Sequence, residues 1–236
     1  MRTPLVLVPG LMCDDALWSA QTLALSAQHD VIVIDHGDAD SLVAMAHSLL
    51  SRSPARFVLA GHSMGGRVAL EAMRLAPERI THLALLDTGY EPLAPGAPGE
   101  QEAAKRHALL EIAQTRGTRA MGQVWSRAMV HPERLEDARL MQSIHDMIGR
   151  KTAHHFAAQI NALLNRPDAS DVLTAIRCPT LVLCGREDAW SPWQRHVEIA
   201  NRIAGSSLVA IERCGHMSPM EQPEAVNAAL AAWLRE

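Results

Sequence analysis

Several features are missing from this 236-residue chain, and each absence removes a class of function. It has only four cysteines, Cys13, Cys178, Cys184 and Cys214, and no C-x-x-C spacing, so neither a dithiol redox motif nor a thiolate metal cage is indicated. The bland reading of these thiols, two of them in or beside strand patterns, is buried free cysteine. There is no block of basic residues and no interleaving of basic with aromatic side chains, so nucleic acid is not an implied partner. No apolar run approaches the length needed to span a bilayer. Met1-Arg2-Thr3-Pro4 passes directly into a strand pattern without the features of a signal peptide. The resulting expectation is a cytoplasmic protein with no membrane partner. H-E-x-x-H is absent too, and His145, His154 and His155 fall in no ligand pattern, so no metal and no other cofactor is expected. No internal repeat or low-complexity segment is found.

What is present suits a globular enzyme: 48% hydrophobic residues, a net charge of −4, and enough length for one domain plus an insertion. One stretch organises the rest. Arg56-Phe57-Val58-Leu59-Ala60 reads as a buried strand, and the residues from Met64 to about Ala76 read as an amphipathic helix ended by Pro77. Between them lies Gly61-x-Ser63-x-Gly65. A sharp turn here holds the serine hydroxyl clear of the sheet, and the glycines avoid collisions with the neighbouring strand and helix. The Met64 amide then points at whatever Ser63 attacks. Alone, the pattern is weak, because a tight turn with a serine N-cap gives the same letters.

Further strands are predicted at Leu5–Val8, Asp30–Asp35, Ile80–Asp87, Pro179–Gly185 and Ser207–Glu212, separated by helices at about 16–27, 41–50, 193–203 and 223–234. This alternation implies a mostly parallel, doubly wound sheet of about six strands. Leu11 follows Gly10 in the loop after the first strand, and is the natural second oxyanion donor. From Glu91 to Gly99 the chain is rich in proline and glycine, and from Gln101 to Asn165 only helical spacing appears, with breaks near Gly117, His131-Pro132 and Gly149. The expected organisation is therefore a core over 1–91 and 169–236 with a helical cap inserted over 92–168. Met121, Trp125, Met129, Met141, Ile144, Met147, Ile148 and Phe156 either line an apolar pocket under that cap or pack its helices together. Trp125, Met129 and Phe156, with Trp190 from a core loop, are the candidate substrate contacts.

Serine is a poor nucleophile at neutral pH and needs a base, which in turn needs an acid to fix its tautomer. His216 follows the last strand in a Gly-His turn. Asp188 follows the strand before it. Both emerge at the same sheet edge as Ser63, in the chain order Ser, Asp, His. Asp87, after the fourth strand, is a rival acid, and Glu187 reads as a solvated neighbour.

Taken together, Val8-Pro9-Gly10-Leu11 through Trp18, Gly61-His62-Ser63-Met64-Gly65-Gly66, Leu85-Leu86-Asp87, Gly185-Arg186-Glu187-Asp188 and Gly215-His216-Met217 with Glu221-Gln222-Pro223 resemble the α/β-hydrolase superfamily over nearly the whole chain. The resemblance implies Ser63 as nucleophile, Asp188 as acid, His216 as base, and the Leu11 and Met64 amides as oxyanion donors. It departs in two places: Pro9-Gly10 stands where the family usually has His-Gly, and His36-Gly37-Asp38-Ala39-Asp40-Ser41 replaces the usual Gly-x-Gly-x-Ser loop. The chain also begins at what would be the family's third strand. The expected activity is hydrolysis of a small ester, lactone or thioester. The alternatives are C–C bond hydrolysis of a diketone-like substrate, and a ligand receptor that keeps the triad with little turnover.

Overall fold

The computed structural model describes residues 2–235. Six strands, β1 (Thr3–Val8), β2 (His29–Val33), β3 (Phe57–His62), β4 (Ile80–Leu86), β5 (Thr180–Gly185) and β6 (Ser207–Ile211), form one sheet in the order β2-β1-β3-β4-β5-β6. Every neighbouring pair is parallel, so the sheet is wholly parallel where a mostly parallel one was expected. β3 and β5 are buried along their full length, which explains their unbroken apolar runs. The edge strands β2 and β6 are only partly buried and carry more mixed sequences.

The helices are α1 (Ser19–Leu25), α2 (Leu42–Arg52), α3 (Met64–Leu75), α4 (Ala97–Arg116), α5 (Thr118–Trp125), α6 (Ala138–Gly149), α7 (Ala153–Leu164), α8 (Ser170–Ala175), α9 (Trp193–Arg202), α10 (Ser218–Glu221) and α11 (Pro223–Trp233). α1 packs with α11, whereas α2, α3, α8 and α9 pack in succession. Trp18, Trp233 and Phe57 are among the largest fully buried side chains, and Trp18 is core filling.

Between β4 and β5 the chain forms only helices, α4 to α8. Breaks fall at Gly117, at His131-Pro132 and after Gly149, as the spacing predicts. Four details differ from the sequence expectation. The first helix splits into a 3-10 turn at Asp15–Trp18 followed by α1. α4 begins at Ala97, inside the proline- and glycine-rich stretch, because Pro98 sits at a helix start where its missing N–H costs nothing. The short helices α8 and α10 carry too few turns to leave a periodic signal.

The sheet runs outward from β1 in both directions, so a crevice opens beyond the C-terminal ends of β1 and β3. The loops after β1, β3, β4, β5 and β6 all meet at this edge.

Candidate active site

Ser63 adopts φ 54° and ψ −116°, a left-handed backbone that a residue with a Cβ rarely occupies. The packing around the turn requires it. A Cβ on Gly61 would lie 2.3 Å from the Gly65 carbonyl oxygen, and one on Gly65 would lie 2.2 Å from that of Val8, so neither position accepts a side chain. The Thr88 hydroxyl donates to the Ser63 carbonyl oxygen at 2.6 Å and ties the turn to the loop after β4.

Three of the sequence candidates come together. Ser63 Oγ lies 2.8 Å from His216 Nε2. On the other side of the ring, His216 Nδ1 lies 2.8 Å from Asp188 Oδ2. Asp188 Oδ1 accepts from the amides of Trp190 at 2.8 Å and Ser191 at 2.9 Å, which fixes the carboxylate plane. Asp87 is not brought to the ring. Its carboxyl accepts from the Gly185 amide at 2.9 Å and from the Ser218 hydroxyl, and it lies 3.6 Å from His62 Nε2.

The charges follow from this arrangement. Burial alone would lower the pKa of His216, but the charge and hydrogen bond of Asp188 outweigh it and the imidazole stands above its ordinary value. Burial alone would raise Asp188, and His216 and the two amides hold it below the usual carboxylate range. Asp87 is pushed well above that range, by burial first and by the neighbouring Asp188 charge second. One carboxyl of the pair is thus kept ionised and the other biased to its neutral form.

The Leu11 and Met64 amides line the same cavity and donate to no group among the described residues. The loop carrying Leu11 is held by contacts that sequence spacing did not reveal. Gln159 of α7 accepts from the Met12 amide at 2.9 Å and donates to the Gly37 carbonyl oxygen at 3.0 Å. His36 Nε2 lies 2.8 Å from the Pro9 carbonyl oxygen. The replaced loop after β2 therefore supports the turn that lacks the usual histidine.

The cavity measures about 1090 Å³. Trp125, Met129, Phe156 and Trp190 all line it, as do Met147 and Ile148, whereas Met121, Met141 and Ile144 do not. Trp190 sits 5.0 Å from the His216 ring centroid and stacks on Trp125 at 5.3 Å, and Trp125 meets Phe156 at 5.7 Å. Sequence reading passed over two supports of the His216 loop. Glu221 accepts from the amides of His131, Gly215 and Met217 at 2.7, 3.0 and 3.0 Å. Exposed Glu187 accepts from the Cys214 amide at 2.9 Å.

Asp87, Cys184 and Asp188 bring ligand atoms within 4.8 Å of one another. The donor set does not suit a metal. Both carboxylates are already occupied by the hydrogen bonds above, and burial drives the Cys184 thiol far from its thiolate form.

A model of the alpha/beta hydrolase family matches residues 5–229. The chain belongs to that family. Among characterised relatives, this hydrolase is 28% identical to an (E)-2-((N-methylformamido)methylene)succinate hydrolase of Acinetobacter baylyi, over 98% of this chain and 90% of the relative. It superposes on a thermophilic esterase from Thermogutta terrifontis, in a malate-bound structure, with a TM-score of 0.85 and 30% identity, covering 99% of this chain and 89% of the other. The enol-lactonase of Burkholderia xenovorans LB400 shares the fold at a TM-score of 0.86 and 21% identity, covering 100% and 93%.

Proposed function

We propose that this hydrolase cleaves a small carboxylic ester, or a lactone or thioester, through an acyl-enzyme on Ser63. The observation that carries the reading is the unbroken pair of 2.8 Å contacts from Ser63 Oγ to His216 and from His216 to Asp188. His216 Nε2 takes the Ser63 proton as Oγ attacks the carbonyl carbon. The Leu11 and Met64 amides receive the negative charge on the former carbonyl oxygen. When the intermediate collapses, His216 returns the proton to the leaving alcohol or thiol. Water then attacks the acyl-enzyme with His216 again as base, and the acid departs with Ser63 restored. Asp188 holds the imidazole in the tautomer that presents a bare Nε2 to the serine.

The helices from about 92 to 168 act as a cap in this reading, with Trp125, Met129, Phe156 and Trp190 as the apolar wall. The 30% identity to an esterase supports the choice of bond, and the succinate named in the Acinetobacter relative's activity is in keeping with a small substrate. The test is a panel of 4-nitrophenyl esters, lactones and thioesters with a fluorophosphonate probe. Steady turnover by the native protein is expected, with at least a 10³-fold loss and no labelling in Ser63→Ala, whose fold is unchanged. Labelling of the native serine without steady turnover would instead mark a receptor.

A further inference from the structure

Arg67 lies one helical turn beyond Ser63 on α3 and lines the same cavity as Ser63 and His216. Its guanidinium is under-used. Nη1 donates to the Glu91 carbonyl oxygen at 2.8 Å, and the other N–H groups have no partner among the described residues. No carboxylate pairs with it either. Gly89 makes the room for this: a Cβ there would lie 2.6 Å from Arg67 Nη2 and 3.1 Å from Arg195 Cδ.

The surroundings add more like charge than relief, with the Glu102 charge opposing those of Arg166, Arg195 and Arg106. Arg166 grips Glu102 with both oxygens at 2.8 and 2.9 Å, and Arg106 shares that carboxylate at 2.8 Å. Arg195 reaches Glu91 Oε2 at 3.2 Å. Four guanidiniums thus face two carboxylates, and the exposed lining residues Lys105, Arg202 and Asp168 add one further positive charge. Burial, with Arg166 and Arg195 next, pushes Arg67 down to about 9, so it stays cationic at neutral pH without a counter-ion. Arg67 is half-buried and its open donors lie at the cavity wall, where an incoming anion can meet them.

We propose that Arg67, backed by Arg166 and Arg195, is a carboxylate-binding subsite, and that the substrate is a small molecule carrying a free carboxylate besides the bond that Ser63 attacks. The proposal rests on the serine-hydrolase reading only for the bond broken. A planar fork matches a carboxylate bidentately. The aromatic wall of Trp125 and Phe156 takes the hydrocarbon part.

The experiment compares mono-4-nitrophenyl glutarate with 4-nitrophenyl valerate in the native protein, Arg67→Gln and Arg67→Lys, and measures glutarate and inorganic phosphate binding by calorimetry. The charged ester should lead in kcat/KM by about ten- to a hundredfold, mostly through KM. Arg67→Gln should erase that ratio and glutarate binding, and Arg67→Lys should keep part of both. Equal ratios in the native and Gln proteins, or phosphate binding as tightly as glutarate, overturn the subsite. If neither ester turns over but glutarate binds the native protein and not Arg67→Gln, the subsite stands and the ester reading falls. Turnover of both esters without discrimination and without glutarate binding does the reverse. If Arg67→Gln does not fold, the Lys protein decides by the same ratio.

Discussion

Ser63 and Asp188 illustrate how single positions are set by their surroundings rather than by their own chemistry. The serine keeps a left-handed backbone because glycines at 61 and 65 allow β3 and α3 to approach where any Cβ would strike a carbonyl oxygen. Two aspartates enter the same edge, and their neighbours divide them. Asp188 has His216 and two amides, whereas Asp87 has a hydroxyl, one amide and the repulsion of Asp188. Asp188→Asn is therefore expected to lower kcat by about 10⁴-fold, because the amide stabilises the wrong imidazole tautomer. Asp87→Asn should lower it by less than tenfold, since the neutral acid it replaces is already favoured. Steady-state kinetics on the same ester compare the two, and an equal loss would return Asp87 to contention as the acid.

At the scale of elements, the loop between β6 and α10 depends on contacts from both directions. The His216 amide donates to the Met129 carbonyl oxygen at 2.6 Å, so the helical segment between β4 and β5 holds His216 directly. From below, Glu221 gathers three amides of the same region. Its charge also helps to raise His216, after Asp188 and Asp87. Glu221→Gln leaves one amide oxygen for three donors, so a loss of about 1–3 kcal/mol in unfolding free energy is expected from denaturant titration. The acidic limb of kcat/KM should also move to lower pH, because the imidazolium loses a nearby anion. A loss of stability with an unmoved limb would leave Glu221 as scaffold alone.

Across the whole molecule, three buried histidines link stability to pH. Burial drives His36 to about 4, His62 to about 3 and His196 to about 4, and each accordingly stays neutral in the fold. The unfolded chain binds protons to these rings below about pH 6.5 while the native state does not, so stability is lost as pH falls through that window. Each ring contributes about 1.4 kcal/mol per pH unit between its unfolded and folded values. His216, whose folded value is raised, acts with the opposite sign only above about pH 6.5, so it leaves this window unchanged. The midpoint of urea unfolding should therefore drop steadily from pH 6.5 to pH 4. A flat profile over that range would mean that the rings take up protons without unfolding.

Local sequence already determined the alternation of strands and helices, the strand–turn–helix around Ser63, the helical stretch from Gln101 to Asn165, and the loops that carry Asp188 and His216. Each of these is a matter of periodicity or of a turn chemistry readable over ten residues. Arg67 was equally open to reading, since an offset of four from Ser63 places it one turn further along α3 near the site. Only the tertiary structure decided which aspartate meets His216, which apolar residues face the cavity, and which cation is left without a paired carboxylate. Gln159, Glu221 and the Met129 carbonyl reach the site across long sequence separations. Hydrogen bonding and charge act over a few ångströms of space, and the chain closes those distances only when the sheet edge and the inserted helices pack together.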